Sequence, residues 1–273
     1  MKDGILWHYT SASLECFISS DAKLHLNFAG NSCNDDNEIN YGRTIFDEAL
    51  KQLPQYSCYF PGAEYDYHKY SVNFAKDFYI FCLTHCENSK THWDKFCSNG
   101  GISIGFSRKK LEELIDGYRK DCVEKLGSVM QSGISIFYKC EDCHQIYFWK
   151  CIYNREEAIE KCKEVITKLV ERYNDGDYGI ISCALSFGKE QLVWPYKKGD
   201  FDDEEEYRIA LRGPRLSDMV KTTRKRKYIE AFRLDDSLIK YVFISPNGDV
   251  EHDYKEVEKL KSRYGRSFEI IKP

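Results

Sequence analysis

Proline is scarce in this chain, with 6 among 273 residues, and no Pro/Ser-rich tract or internal repeat is present. That excludes a disordered or fibrous protein and offers no linker at which to divide the chain. A single domain over residues 1–273 is therefore expected. Long apolar runs are also missing. The stretch Phe78 to Leu83 is typical, whereas a membrane helix needs about 20 apolar residues, so no membrane partner is expected. The opening Met1-Lys2-Asp3-Gly4-Ile5-Leu6-Trp7-His8 lacks the apolar run and small-residue cleavage site of an export signal. A cytoplasmic location follows as an expectation. Nor does one sign of charge prevail: 40 Lys and Arg face 44 Asp and Glu, for a net charge of −4. A whole-protein field that draws nucleic acid is excluded, and only a local basic patch stays open. There is no Gly-rich phosphate loop, no Gly-x-Ser-x-Gly and no His-Glu-x-x-His.

What is present reads as an ordinary globular protein: 42 % hydrophobic, 31 % charged and 15 % aromatic, the last dominated by 20 Tyr and 16 Phe. A chain of this length buries roughly 75 % of the surface its unfolded form exposes, so its core needs no staple. The 12 cysteines then read as buried, reduced thiols. Cys140-Glu141-Asp142-Cys143-His144 has zinc-like spacing. Tetrahedral zinc needs four ligands, and only His144 or Cys151 is at hand to extend the pair, so no metal is expected.

Apolar spacing predicts helices over Arg108 to Gly127 and Arg155 to Asn174. Shorter ones are predicted over Ser11 to Ser19, Arg43 to Leu53 and Val250 to Tyr264, with Pro54 stopping the second of these. Strands are predicted at Phe78 to Thr84, Gly101 to Phe106, Gly133 to Tyr138, Gln145 to Cys151, Glu205 to Leu211, Tyr228 to Leu234, Leu238 to Ser245 and Ser267 to Ile271. Few strands are followed at once by a helix, which favours α+β over a doubly wound sheet.

Four stretches could carry chemistry. Trp7-His8-Tyr9-Thr10 puts an imidazole that titrates near neutrality into a strand. Thr91-His92-Trp93-Asp94-Lys95-Phe96-Cys97, if helical, sets Trp93 and Phe96 on one face, as core or as an aromatic lid. In Glu204-Glu205-Glu206-Tyr207-Arg208, strand alternation groups Glu204, Glu206 and Arg208 on one face, where the arginine keeps a carboxylate ionised and oriented. Lys221 to Lys227 is a basic cluster whose Arg224, Lys225, Arg226 and Lys227 could meet phosphates.

The ordered set Trp7-His8-Tyr9-Thr10, Asn34-Asp35-Asp36-Asn37-Glu38, Phe81-Cys82-Leu83-Thr84 through Trp93 to Gly101–Phe106, Ile136-Phe137-Tyr138 and Glu204-Glu205-Glu206-Tyr207-Arg208 resembles the domain-of-unknown-function 2971 family. More distantly, a His in an N-terminal strand and a late strand Glu resemble ADP-ribosyltransferases. That second likeness implies a curved or split mixed sheet with flanking helices and NAD as co-substrate. It implies that His8 binds the nicotinamide-side ribose, that Tyr9 or Trp93 stacks on nicotinamide, and that Thr10 and Arg208 line the site. Glu206, or next Glu204, would hold the ribose and steady the cationic transition state. The function so implied is an NAD-handling enzyme, a toxin or phage-defence effector with a protein or nucleic-acid acceptor. The alternative is a non-enzymatic nucleotide- or RNA-binding domain, or an inactive regulatory one.

Overall fold

The structure, a computed structural model, describes residues 4–28, 38–60, 78–130, 145–175, 195–212, 220–222 and 227–273. These gather into two compact units. The first holds residues 1–32, 74–149 and 204–273; the second holds 33–73 and 150–203. The chain enters and leaves the second unit twice.

The first unit is built on a mixed sheet. Its strands are β1 (Ile5–Thr10), β2 (Lys23–Phe28), β3 (Phe78–Thr84), β4 (Ile102–Ser107), β5 (Gln145–Lys150), β6 (Glu206–Arg212), β7 (Lys221–Thr222), β8 (Lys227–Arg233), β9 (Ile239–Ile244) and β10 (Glu269–Ile271). Its helices are α1 (Glu15–Ile18), α3 (Lys90–Phe96), α4 (Arg108–Met130) and α6 (Val250–Arg263), while α2 (Glu38–Lys51) and α5 (Arg155–Asn174) belong to the second unit. The architecture is thus α+β, with helices flanking one open mixed sheet. The expected strand at Gly133 to Tyr138 lies outside the described residues.

Strand β3 is the branch point. Strand β6 pairs it antiparallel along its whole length, Phe78↔Arg212 to Thr84↔Glu206, and so fills one edge. The other edge is shared. Strand β2 takes Tyr79 and Ile80, and β1 takes Thr84. The sheet therefore divides. One limb runs β1–β4–β9–β10, with β10 parallel to β9, and the other runs β2–β8–β7; β5 extends the sheet beyond β6.

Burial explains the strand sequences. In β1, Leu6 enters a core with Phe17, Ile18, Phe81, Ile104 and Leu111. Ile5, Trp7 and Tyr9 enter another, with Trp93, Cys97 and Phe243. Both faces are covered, so the strand reads as a near-continuous apolar run. Gly105 lies opposite Trp7. A β-carbon there would stand 3.0 Å from the indole ring, so the absent side chain makes room for the Trp. Helix α1 is shorter than the spacing predicts. Thr10 Oγ1 accepts the Ala12 N–H (3.0 Å) and Ser13 Oγ accepts that of Glu15 (3.3 Å), and such local bonds compete with a helical start.

In the second unit, Ala158, Ile159, Cys162, Ile166 and Val170 of α5 form one buried stripe at the predicted spacing. It packs on Ile45, Phe46, Ala49 and Leu50 of α2, with Phe60 and Tyr196. Helix α2 ends at Lys51, and Pro54 opens a 3-10 turn, Pro54–Tyr59.

Candidate functional site

His8 stands where the sheet divides. Its Nδ1 lies 2.8 Å from the Cys82 carbonyl, and its ring stacks on Phe81 at 4.2 Å between centroids. A carbonyl only accepts, so Nδ1 carries the hydrogen and Nε2 is the acceptor of the neutral ring. The imidazole thus serves the β3 backbone at a point between its ladder contacts with β1 and with β2.

Glu206 and Arg208 form a buried bidentate pair. Arg208 Nε donates to Oε1 at 2.8 Å and Nη2 to Oε2 at 3.0 Å. The two residues are only 6 % and 2 % exposed. The opposite side of β6 is buried too, through Tyr207, Ile209 and Leu211. The acidic run therefore leads into an interior strand, not a solvated face. Pleat alternation places Glu206 on the face of Thr84 and Trp7. His8, one residue beyond Trp7, projects to the other face, where it meets Phe81 and Phe17.

Glu204 is not on the strand. It closes a 3-10 turn, Gly199–Glu204, and Glu205 between it and β6 is left-handed (φ 40). Its carbonyl accepts from Thr84 Oγ1 at 2.7 Å, and its carboxylate pairs with Lys95 Nζ. The side chains are 9 % exposed for Glu204 and 31 % for Lys95. The Lys95 ammonium also lies 5.4 Å from the centre of the Phe96 ring. Phe96, 39 % exposed, is the one large hydrophobic side chain exposed among the described residues.

Helix α3 presents Lys95 and Phe96 on a fixed base. Ser89 caps it, accepting the His92 N–H, and its Oγ is 2.8 Å from His92 Nδ1. Trp93 is 1 % exposed, with its indole N–H donated to Asn88 Oδ1 at 2.8 Å. Tyr9 packs edge-on against Trp93 at 4.6 Å. Its hydroxyl donates to the Cys86 carbonyl at 2.7 Å and accepts the Ser89 N–H at 2.9 Å. Burial pushes this phenol up to about 12. Tyr9 and Trp93 are therefore core residues that hold α3 to β1, and the Thr10 hydroxyl serves a local turn. Phe96, rather than Trp93, is the exposed aromatic ring of α3.

A second polar group lies on the His8 face. His85 Nε2 is 2.8 Å from the Tyr207 hydroxyl, and the Arg108 guanidinium sits 5.4 Å from the Tyr207 ring centre and donates to Glu112. The register carries the signal for it, because Tyr207 pairs with Leu83. Of the basic cluster, Lys227 is exposed and lies 6.0 Å from the Phe28 ring. Arg224, Lys225 and Arg226 lie outside the described residues, as do Cys140, Cys143 and His144. Among the described residues no cluster of three or more acidic, His or Cys side chains suits a metal ion, and no helix is long and apolar enough to cross a membrane.

Residues 92–209 match the model of a family described as a protein of unknown function, DUF2971. The matched segment runs from α3 into β6, so it holds Lys95, Glu204, Glu206 and Arg208, while His8 precedes it. It supports the likeness to that family drawn from the ordered motifs. No curated protein and no solved structure matches the chain. The comparisons therefore supply no likeness to ADP-ribosyltransferases.

Proposed function

We propose that this chain is an ADP-ribosyltransferase-like enzyme that acts on NAD, with Glu204 as its working carboxylate. The observation behind this reading is the division of the sheet along β3. His8 meets the Cys82 carbonyl at the fork on one edge, and at the other edge Glu204, just before β6, is tied by its carbonyl to Thr84 and holds its carboxylate against Lys95. In the reaction, the bond between ribose C1′ and the nicotinamide nitrogen breaks, and nicotinamide leaves with the electron pair. Water or an acceptor's nucleophile bonds to C1′ and gives up a proton. The ribosyl group is cation-like in between, and a fixed carboxylate in a site shielded from water lowers its energy.

Glu204 suits that task better than Glu206. Glu206 is already matched on both oxygens by Arg208. Glu204 has its main chain anchored by Thr84 and its carboxylate held by an amine that reaches solvent. His8 is a positioning residue in this reading: it fixes the Cys82 carbonyl at the fork.

The test is nicotinamide release from NAD by the parent, Glu204→Gln and Glu206→Gln. Glu204→Gln should lose about 10²–10³ in rate and a smaller factor in binding of oxidised NAD, since the contact to the cationic ring is made on binding and strengthens as charge passes to C1′. A dead Glu206→Gln beside an unimpaired Glu204→Gln would assign the carboxylate to Glu206. A parent that neither binds nor consumes NAD overturns the reading.

A further inference from the structure

We infer that the Lys95 ammonium occupies the seat of a cationic ligand group, and that under the NAD reading this group is the positively charged nicotinamide ring. The inference rests on that reading for the ligand's identity and on the structure for the seat. The Glu204 carboxylate and the ring of Phe96, 5.4 Å away, both meet the ammonium. Carboxylate plus aromatic face is the chemistry that selects a cation over a neutral group. The carboxylate is 9 % exposed, so moving the ammonium away removes positive charge from beside an acid that water barely reaches. A ligand that brings its own flat cation restores the balance and can lie against Phe96. A neutral ring restores nothing.

The exchange needs only a side-chain movement. Trp93, two residues before Lys95, is buried, and Ser89 caps the helix, so the helix backbone stays in place. The Lys95 side chain, 31 % exposed, has an open route to water. Lys95 is in this account a gate that favours oxidised NAD over its reduced form, whose nicotinamide ring is neutral.

The experiment measures binding of oxidised and reduced NAD to the parent, Lys95→Met and Lys95→Arg by calorimetry. A part-exposed ion pair contributes up to about 1 kcal/mol, about fivefold in affinity. Lys95→Met should bind oxidised NAD about fivefold more tightly and reduced NAD unchanged. Lys95→Arg, whose fork pairs a carboxylate better, should weaken oxidised NAD, and it carries the test if Lys95→Met does not fold. If oxidised NAD binds the parent but neither substitution alters its affinity, or both forms respond alike, the gate is overturned and the NAD reading stands. If the parent binds neither form, the NAD reading fails. In that case the seat is probed with N-methylnicotinamide cation alone, and equal, weak binding to parent and Lys95→Met overturns the seat as well.

Discussion

Buried titratable groups set the chain's response to alkali. Burial raises the Cys97 thiol from its ordinary 9.0 to about 11 and the Tyr9 phenol from 10.0 to about 12. Both groups are neutral when protonated, so the folded state holds its protons longer than the unfolded chain does. Stability from these groups is intact below about pH 9, where even unfolded thiols keep their protons, and is lost as pH rises through about 11 to 12. Urea unfolding across pH 8–12 should show this fall, with a shallower slope in Cys97→Ala between pH 9 and 11. Stability that rises across that range contradicts the assignment. The Glu206–Arg208 pair makes a second expectation at this scale. Removing Arg208 takes both guanidinium hydrogen bonds from the buried Glu206 carboxylate, so Arg208→Ala should cost about 3–5 kcal/mol. A cost below about 1 kcal/mol in denaturant titration would place the pair outside the folding core.

Helix α3 carries both Lys95 and Phe96. Seven residues are too few for a helix to hold itself in water, so its cap and its anchor decide its position. Ser89→Ala removes the acceptor for the His92 N–H and should cost about 0.5–2 kcal/mol. Because Lys95 and Phe96 ride on the same helix, under the NAD reading the substitution should also weaken binding of oxidised NAD. Equal loss for a ligand that does not reach α3 would argue against that coupling. The turn after α3 is equally constrained. Gly101 has φ +139, and a β-carbon there would lie 2.6 Å from the Thr10 carbonyl. Gly101→Ala should therefore displace β1 from β4 and lower the melting temperature, with circular dichroism as the readout.

At the scale of the whole molecule, each unit carries its own apolar core. Ile166, fully buried in the second unit, should cost about 2–5 kcal/mol as Ile166→Ala, read by denaturant unfolding. The basic cluster separates the two classes of function. Lys227 is exposed at the start of β8, and Lys227→Ala should change stability by less than about 0.5 kcal/mol. Under the NAD reading the substitution leaves turnover unaltered. Single-stranded RNA binding by the parent, with a salt slope that falls by about one unit in Lys227→Ala, would favour the binding-module alternative instead.

Much of the local structure was legible in the chain. The 3-4 spacing from Ala158 to Val170 is a one-face pattern that only a helix satisfies, and α5 covers Arg155–Asn174 as that spacing predicts. Pro54 lacks an amide hydrogen and ends α2 nearby. Alternation in Glu206-Tyr207-Arg208 set the carboxylate and guanidinium on one face, and the bidentate pair lies there. The same alternation extended by one step sets Glu204 on that face as well, but the left-handed Glu205 breaks it, and backbone dihedrals at a strand entry answer to long-range contacts such as Thr84 to Glu204. That Trp93 is core while Phe96 is open depended on which side of a short helix meets β1, and composition carries no sign of it. No linker marks the second unit, because the chain threads it in two separate segments. The fork in the sheet was decided by tertiary structure alone: β1, β2 and β6 all compete for the two edges of β3, and which strands share an edge is settled by long-range packing rather than by any property of a single strand.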